Sequence, residues 1–304
     1  MLTKPGSDVT ALESKAAPTS QDEPPPRRDA LPEEPLVTIE PSKPWRALDL
    51  RELWSYRELL YFLVWRDLKV RYKQTALGAS WAVLQPLFMM AVFALFFGRL
   101  VGVNTEGVPY PLFAFTGLVP WTFFASAVTR SGNSLVSSAH LISKVYFPRL
   151  LVPLGAVAAG LADFALSFLT LVGLLAFYRV APTAHLLMLP ALVALMFAFA
   201  LGVGLWLSSV NVKYRDLLFV LPFLIQVWLF ASSVILPSSA APPRLRWVLR
   251  LNPMSGIVEG FRAALLGSPF DWPAIGVAAA VALALLVYSA YAFRRTEKGF
   301  ADII

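Results

Sequence analysis

Six long stretches of nearly uncharged sequence constrain this chain more than any other feature. Five contain no Asp, Glu, Lys or Arg, and the sixth contains Asp163 alone. A helix needs about 20 apolar residues to cross roughly 30 Å of hydrocarbon, and helical hydrogen bonding satisfies the backbone there. We therefore predict an all-α membrane protein with six transmembrane helices within a domain at 77–296. The predicted spans are approximately 77–101, 110–138, 149–178, 185–209, 217–236 and 272–293.

Composition excludes most catalytic chemistry. The chain has 304 residues, 57% of them hydrophobic and 15% charged, against about 25% charged in soluble domains. It has no cysteine and two histidines, His140 and His185, which excludes disulfides, thiolate metal sites and multi-histidine centres. Phosphate-binding loops and hydrolase motifs are absent from the sequence. We expect no cofactor and no enzymatic activity. If the chain forms a pathway across the membrane, it conducts a solute passively, couples to an ion gradient, or is driven by another subunit.

Charge distribution predicts the orientation. Lys and Arg concentrate in the loops on the side of both termini, which predicts that both termini are cytoplasmic, including a short C-terminus at 297–304. Residues 1–44 hold 9 of the 24 prolines, with eight acidic and five basic residues. Such a segment cannot bury enough apolar surface to fold alone, so we predict a disordered cytoplasmic tail.

A basic, aromatic segment at 45–76 precedes the first predicted span. Its uncharged centre is too short to cross a bilayer, and its rings and charges fall on separate helical stripes. We predict an amphipathic helix in the cytoplasmic interface, either a plain anchor or one that also contacts a partner. The apolar stripe is Tyr61, Trp65, Leu68 and Tyr72, and the basic stripe is Arg66, Lys69 and Lys73.

The segment at 237–271 predicts two half-length helices between spans five and six. Asn252 is suited to cap the second helix, with Pro253 at its first position. Glu259 and Arg262 are three residues apart and can pair on one face. We predict a re-entrant periplasmic hairpin beside a cavity, or alternatively a simple packing cap.

Two charges fall inside predicted spans. Arg130 and Asp163 lie at depths that differ by little more than a helical turn in consecutive antiparallel spans. An unpaired charge at mid-membrane costs at least about 2.5 kcal/mol. We predict an intramembrane ion pair, with substrate contact or proton transfer as the alternative roles.

Five ordered motifs give a family resemblance. They read GLVPWTFF at 117–124, NSLVSS at 133–138, KVYFPR at 144–149, WLSSVNVKYRD at 206–216 and LNPMSGIVEGFR at 251–262. Together they resemble the permease subunit of ABC-2-type polysaccharide exporters, which move O-antigen, capsular polysaccharide and teichoic acid. The resemblance covers roughly residues 55–300.

The resemblance implies a homodimer in the bacterial inner membrane with two copies of a cytoplasmic ATPase subunit. It implies a channel at the dimer interface for a polysaccharide or lipid-linked glycan, an outer gate formed by the hairpin, and no nucleic-acid partner. It also implies ATPase coupling through two segments, the interface helix and the loop 140–147. The coupling residues are His140, Lys144, Val145, Tyr146, Phe147, Arg66, Lys69 and Lys73.

Aromatic rings are expected along a glycan channel, because the C–H faces of sugars are apolar. The candidates are Trp81, Phe88, Trp121, Phe123 and Phe124, and the alternative for each is a ring that faces lipid. Two other functions remain open from the residues alone. These are an ABC-2 permease for a drug or a lipid, and a gradient-driven carrier, although no internal repeat typical of carriers is evident.

Overall fold

The computed structural model describes residues 50–73, 78, 80–214 and 216–297. The predicted tail 1–44, the first residues of the predicted interface helix and the C-terminal residues 298–304 lie outside this part of the chain. The described residues form helices and loops, with no β-strand among them. This confirms the all-α fold class.

Two helices precede the first span: α1 (Leu50–Ser55) and α2 (Arg57–Tyr72). The sequence predicts a single amphipathic helix at 45–76, and the described part of this segment is broken at Tyr56. α2 packs against a later span through Leu63, which is buried, whereas Tyr61 and Trp65 are exposed. The aromatic stripe therefore faces away from the bundle, apart from Tyr72 at its end.

Within the described part of the chain, five helical segments are long and apolar enough to cross a membrane. α3 (Ser80–Phe93) continues as a π-helix to Leu100. The others are α4 (Tyr110–Ser137), α6 (Leu151–Phe177), α7 (Leu189–Lys213, preceded by a 3-10 turn from Ala184) and α11 (Trp272–Glu297). Between α4 and α6 lies the short helix α5 (Ala139–Lys144).

The predicted fifth span is shorter than expected. The sequence placed it at 217–236, but α8 covers only Leu217–Phe230, or 14 residues. At 1.5 Å per residue this helix is about 21 Å long, less than the hydrocarbon thickness. The chain then turns, and Ser232 to Ile235 are buried. A span count of six therefore stays a prediction.

The predicted half-length helices are present after α8. They are α9 (Pro243–Leu251) and α10 (Pro253–Leu266), and Gly267 ends α10 in a left-handed conformation with φ of 77°. α10 packs closely on α11 because Gly256 lacks a side chain. A Cβ at this position would lie 2.6 Å from the carbonyl oxygen of Ala274.

α4 is the central helix of the bundle. Most of its apolar segment is buried by neighbouring helices, whereas a much smaller share is buried in the apolar segments of α3, α6 and α11. Aromatic packing joins it to two other helices: the Phe124 ring lies 5.1 Å from those of Phe199 on α7 and Trp228 on α8. Residues on α4 that touch other elements are therefore well placed to transmit movement between them.

Candidate functional site

A single carboxylate joins three helices. Asp163 on α6 is largely buried, and its Oδ2 lies 3.2 Å from Nη1 of Arg130 on α4. Arg71 and Tyr72, at the end of α2, also donate hydrogen bonds to Asp163. Burial raises the pKa of Tyr72, and the bond to Asp163 raises it further, so this hydroxyl stays protonated as a donor. The structure thus brings together the predicted pair and adds two partners from the interface helix.

Sequence reasoning missed Arg71 and Tyr72 as members of this network. They lie 92 and 91 positions before Asp163, on a helix that was assigned to the membrane surface. The one signal that could have indicated them was electrostatic. A carboxylate inside a span needs several hydrogen-bond donors, and these can come from any neighbouring helix.

Two cavities adjoin this network, and Arg71 and Arg130 line both. The first, which we call the Trp81 cavity, has a volume of about 170 Å³. The second, which we call the serine groove, lies between α2, α4 and α6 and has a volume of about 590 Å³. The Trp81 cavity is lined by Trp81, Gln85, Thr122, Ser126 and Ser167, and the serine groove by Arg66, Thr129, Asn133, Ser134 and Ser137.

The five candidate channel rings fall into two groups. Trp81 and Phe88 on α3 are 55% and 63% exposed. Trp121, Phe123 and Phe124 on α4 are buried within the subunit. These three rings pack the bundle core of the single subunit, and Phe123 also lines the Trp81 cavity, so a role in a channel wall stays a prediction.

The predicted coupling loop is mostly exposed. His140, Lys144 and Val145 are accessible, and Tyr146 is 85% exposed. Phe147 is only 5% exposed and belongs to the hydrophobic core, so in this structure its ring is not accessible to a partner. The side chain of Phe147 points into the bundle, whereas that of Tyr146 projects from it.

Hydrogen bonds on either side of this loop connect the adjoining residues to α2 and to the end of α11. Arg66 on α2 donates from Nη2 to Ser138 Oγ at 3.4 Å, and it also pairs with Asp67 at 2.9 Å. The backbone N–H of Arg149 donates to Glu297 Oε1 at 3.1 Å, which connects the loop to the end of α11. Lys69 and Lys73, the other basic residues predicted for coupling, are exposed.

Asn252 links the hairpin to the end of α8. Its Oδ1 accepts a bond from the Met254 N–H at 3.1 Å, which confirms the predicted cap before Pro253. The same oxygen accepts a bond from Trp228 Nε1 at 3.1 Å, and Nδ2 donates to the Ala231 carbonyl at 3.0 Å. One amide side chain therefore holds the start of α10 against the turn that follows α8.

Arg262 is the most buried charge of the hairpin, with 3% of its surface exposed. It lies 3.5 Å from Glu259, as the spacing predicted, but its closer partners are main-chain carbonyls. It donates to Val234 at 2.7 Å, and also to Ser233 and Phe113. Burial lowers its pKa to about 10, so the guanidinium remains charged at neutral pH.

Among the described residues, no group of three or more His, Cys, Asp or Glu side chains could hold a metal ion. The arrangement offers other chemistry: a polar, partly aromatic cavity inside the bundle, an ion network that joins three helices, and exposed residues at the loop after α4.

Comparison with known proteins identifies the relatives of this chain. Residues 58–266 match the family model described as ABC-2 type transporter. The chain is 32% identical to an O-antigen export system permease protein, RfbA, of Myxococcus xanthus over 258 residues, which cover 84% of this chain and 98% of the relative. It is 27% identical to RfbA of Klebsiella pneumoniae, covering 81% and 95%. It is 24% identical to the polysialic acid transport protein KpsM of Escherichia coli, covering 66% and 78%.

Proposed function

We propose that this chain, which belongs to the ABC-2 type transporter family, is the channel-forming subunit of an ATP-driven exporter that moves a polysaccharide across the bacterial inner membrane. The observation that carries the proposal is the similarity, along most of both chains, to permeases named for O-antigen export. The accessible ring of Trp81 beside Gln85 and several hydroxyls fits a glycan, which offers apolar C–H faces and hydroxyl groups.

The proposed assembly is a homodimer with two ATPase subunits and with both termini in the cytoplasm. Exposed rings on two helices support a second copy of the chain, because they leave apolar faces that need lipid or protein cover. These rings are Trp81, Phe88 and Phe96 on α3, and Phe219, Phe223 and Phe230 on α8. A helix as short as α8 also favours protein contact over isolated insertion into lipid.

ATP hydrolysis in the partner subunits would reach the pathway through contact. A partner that presses on Val145 and Tyr146 moves the loop that joins α4 to α6 directly. A partner that displaces α2 acts on the same two helices through Arg71 and Asp163. The two proposed contact points therefore converge on α4, α6 and the Trp81 cavity between them.

The hairpin is proposed to act as the outer gate. Asn252 and Arg262 join it to the turn after α8 and to the first turns of α4, so movement of α4 also reaches the hairpin. The glycan is proposed to be linked to a lipid, as an O-antigen or capsular chain. The Trp81 cavity alone is too small for more than a short part of such a polymer.

Deletion of the gene tests this function. We expect surface polysaccharide to disappear while the finished glycan accumulates inside the cell, and we expect a plasmid-borne copy to restore export. Unchanged surface polysaccharide would contradict the proposal. If the deletion instead changes only drug sensitivity or lipid composition, the alternative of a drug or lipid permease is favoured.

A further inference from the structure

The ion network at Asp163 is not electrically balanced. Arg71 and Arg130 share the one carboxylate of Asp163, while Arg66 pairs with Asp67. The third donor to Asp163, Tyr72, is neutral. The described residues that line the Trp81 cavity and the serine groove therefore include three guanidinium groups and two carboxylates. One positive charge remains without a counter-charge in a partly buried place, where charge is costly.

The serine groove presents this excess charge to a ligand. Arg66, Arg71 and Arg130 all line it, and the Arg66 and Arg130 side chains stay substantially accessible. Asn133 on α4 also lines the groove, and its amide has no hydrogen-bond partner among the described residues. Guanidinium forks and an amide N–H₂ are donors that match the oxygens of a phosphate group.

Three of the four hydroxyls that line the groove are already committed as donors, and the fourth, that of Ser138, accepts a hydrogen bond from Arg66. Thr129 donates to the carbonyl of Ala125 at 2.7 Å, and Ser134 donates to that of Ser131 at 2.7 Å. The arginines and Asn133 are therefore the groups that would bind an anion. One wall is apolar, with Val70, Val152 and Ala156. A ligand that fits both walls carries a phosphate and an apolar chain.

We propose that the serine groove binds the phosphate group of a lipid, with Arg130, Arg66 and Asn133 as its donors. The phosphate supplies the negative charge that the network lacks. Two sources share this chemistry: a phospholipid of the bilayer, or the phosphate that joins an exported glycan to its lipid. Only the second source rests on the proposed polysaccharide function.

Binding to the purified full-length protein in a neutral detergent tests the site. The probes are farnesyl phosphate and farnesol, which share one apolar chain and differ in the phosphate. We expect the phosphate form to bind at least about tenfold more tightly, as one charge-assisted hydrogen bond provides. Equal affinity for the two probes would overturn the proposal, whatever the outcome of any export assay.

Variants locate the site. Arg130→Gln leaves Arg71 paired with Asp163 and is expected to bring the affinity for farnesyl phosphate down to that for farnesol. Lys213→Gln, which removes an exposed cation outside the groove, is expected to leave the affinity unchanged. Equal losses in the two variants would contradict the site. Asn133→Ala alters the groove without changing its charge and provides a second test, with an expected loss of about threefold.

A competition experiment assigns the source. In one outcome, phosphatidylglycerol displaces farnesyl phosphate from the wild-type protein but binds equally well to wild type and to Arg130→Gln. Phosphatidylglycerol then binds outside the groove. Displacement that depends on Arg130 assigns the groove to a bilayer phospholipid. Binding of farnesyl phosphate that phosphatidylglycerol does not displace assigns it to the phosphate of a lipid-linked glycan.

Discussion

The guanidinium carbon of Arg262 lies 3.6 Å from the centroid of the Phe113 ring, which fastens the hairpin helix α10 to the first turn of α4. The same group donates hydrogen bonds to the carbonyls of Ser233 and Val234, after α8. Three elements that are distant in sequence therefore meet at one buried charge. A hairpin held in this way can move only when α4 or the turn after α8 moves with it.

Replacement of Arg262 by alanine should destabilise the protein strongly. The change leaves the Ser233 and Val234 carbonyls without their donor and removes the contact with Phe113, so we expect a loss of about 3 kcal/mol. Thermal unfolding in detergent measures the effect. Glu259→Gln is the control, because Glu259 is more exposed and its loss leaves the carbonyl contacts intact. A Tm equal to that of wild type for Arg262→Ala would show that the hairpin is held by other contacts.

Neutralisation of Asp163 should be more harmful than neutralisation of Arg130. Asp163→Asn leaves Arg71 and Arg130 close together with no carboxylate, at an expected cost of about 2–3 kcal/mol. Arg130→Gln leaves one balanced pair and should cost less. The double variant Asp163→Asn with Arg130→Gln should recover part of the loss, which a double-mutant cycle of thermal stabilities would measure. Additive effects would mean that the two residues do not interact.

Two adjacent aromatic residues should respond differently to alanine. Tyr146→Ala removes an exposed ring, so insertion and stability should be unchanged while co-purification of the ATPase subunit weakens. Phe147→Ala creates a cavity in the core and should lower stability by about 3 kcal/mol or more. Membrane yield, Tm and the amount of bound ATPase separate the two effects. Full ATPase binding by Tyr146→Ala would shift the coupling role to α2, where Arg66, Lys69 and Lys73 would be tested next.

The predicted topology can be tested by thiol labelling, because the chain contains no cysteine. Ser239, in the exposed turn before α9, should react as Ser239→Cys with an impermeant reagent added outside intact cells or spheroplasts. Ser143, exposed on α5, is the matched control and should react as Ser143→Cys only after the membrane is opened. Labelling of Ser143→Cys from outside, together with labelling of Ser239→Cys only after the membrane is opened, would place the hairpin in the cytoplasm.

Trp81 should contribute to export rather than to folding. Its exposed ring can be removed without a cavity in the core, so Trp81→Ala should insert normally and reduce the rate of export by roughly fivefold, as loss of one ring contact implies. Trp81→Phe retains a ring and should keep more activity. Trp272→Ala, at the start of α11 and outside the hairpin, is a control at another exposed tryptophan. Equal export by Trp81→Ala and wild type would indicate a ring that only faces lipid.

The helices themselves were largely predictable. The described bounds of α4, α6 and α11 lie close to those expected, and α10 begins at Pro253 after the Asn252 cap, because long apolar stretches, prolines and caps are local signals. α8 was the exception. Its apolar sequence extends beyond Phe230, but Ser232 and Ser233 are buried in a turn that packs against α10. Hydropathy reports which residues avoid water, and it does not distinguish the end of a helix from a buried turn.

The candidate site was predictable only in part. Arg130 and Asp163 were identifiable because a charge inside an apolar span needs a partner. The participation of Arg71 depends on where α2 packs, and no local pattern encodes that position. The opposite burial of Tyr146 and Phe147 likewise depends on the direction in which the loop leaves the bundle.

The sequence by itself determined that this chain is a helical membrane protein related to polysaccharide permeases, since composition, spacing and ordered motifs are properties of neighbouring residues. Only the tertiary structure decided which rings are buried, where the two cavities lie and which arginines share Asp163. These features arise from contacts between helices that are distant in the chain, such as the bond between Arg71 and Asp163, which are 92 positions apart. A residue on α4 faces core, cavity or lipid according to the helices that surround it, and its own neighbours in sequence do not specify them.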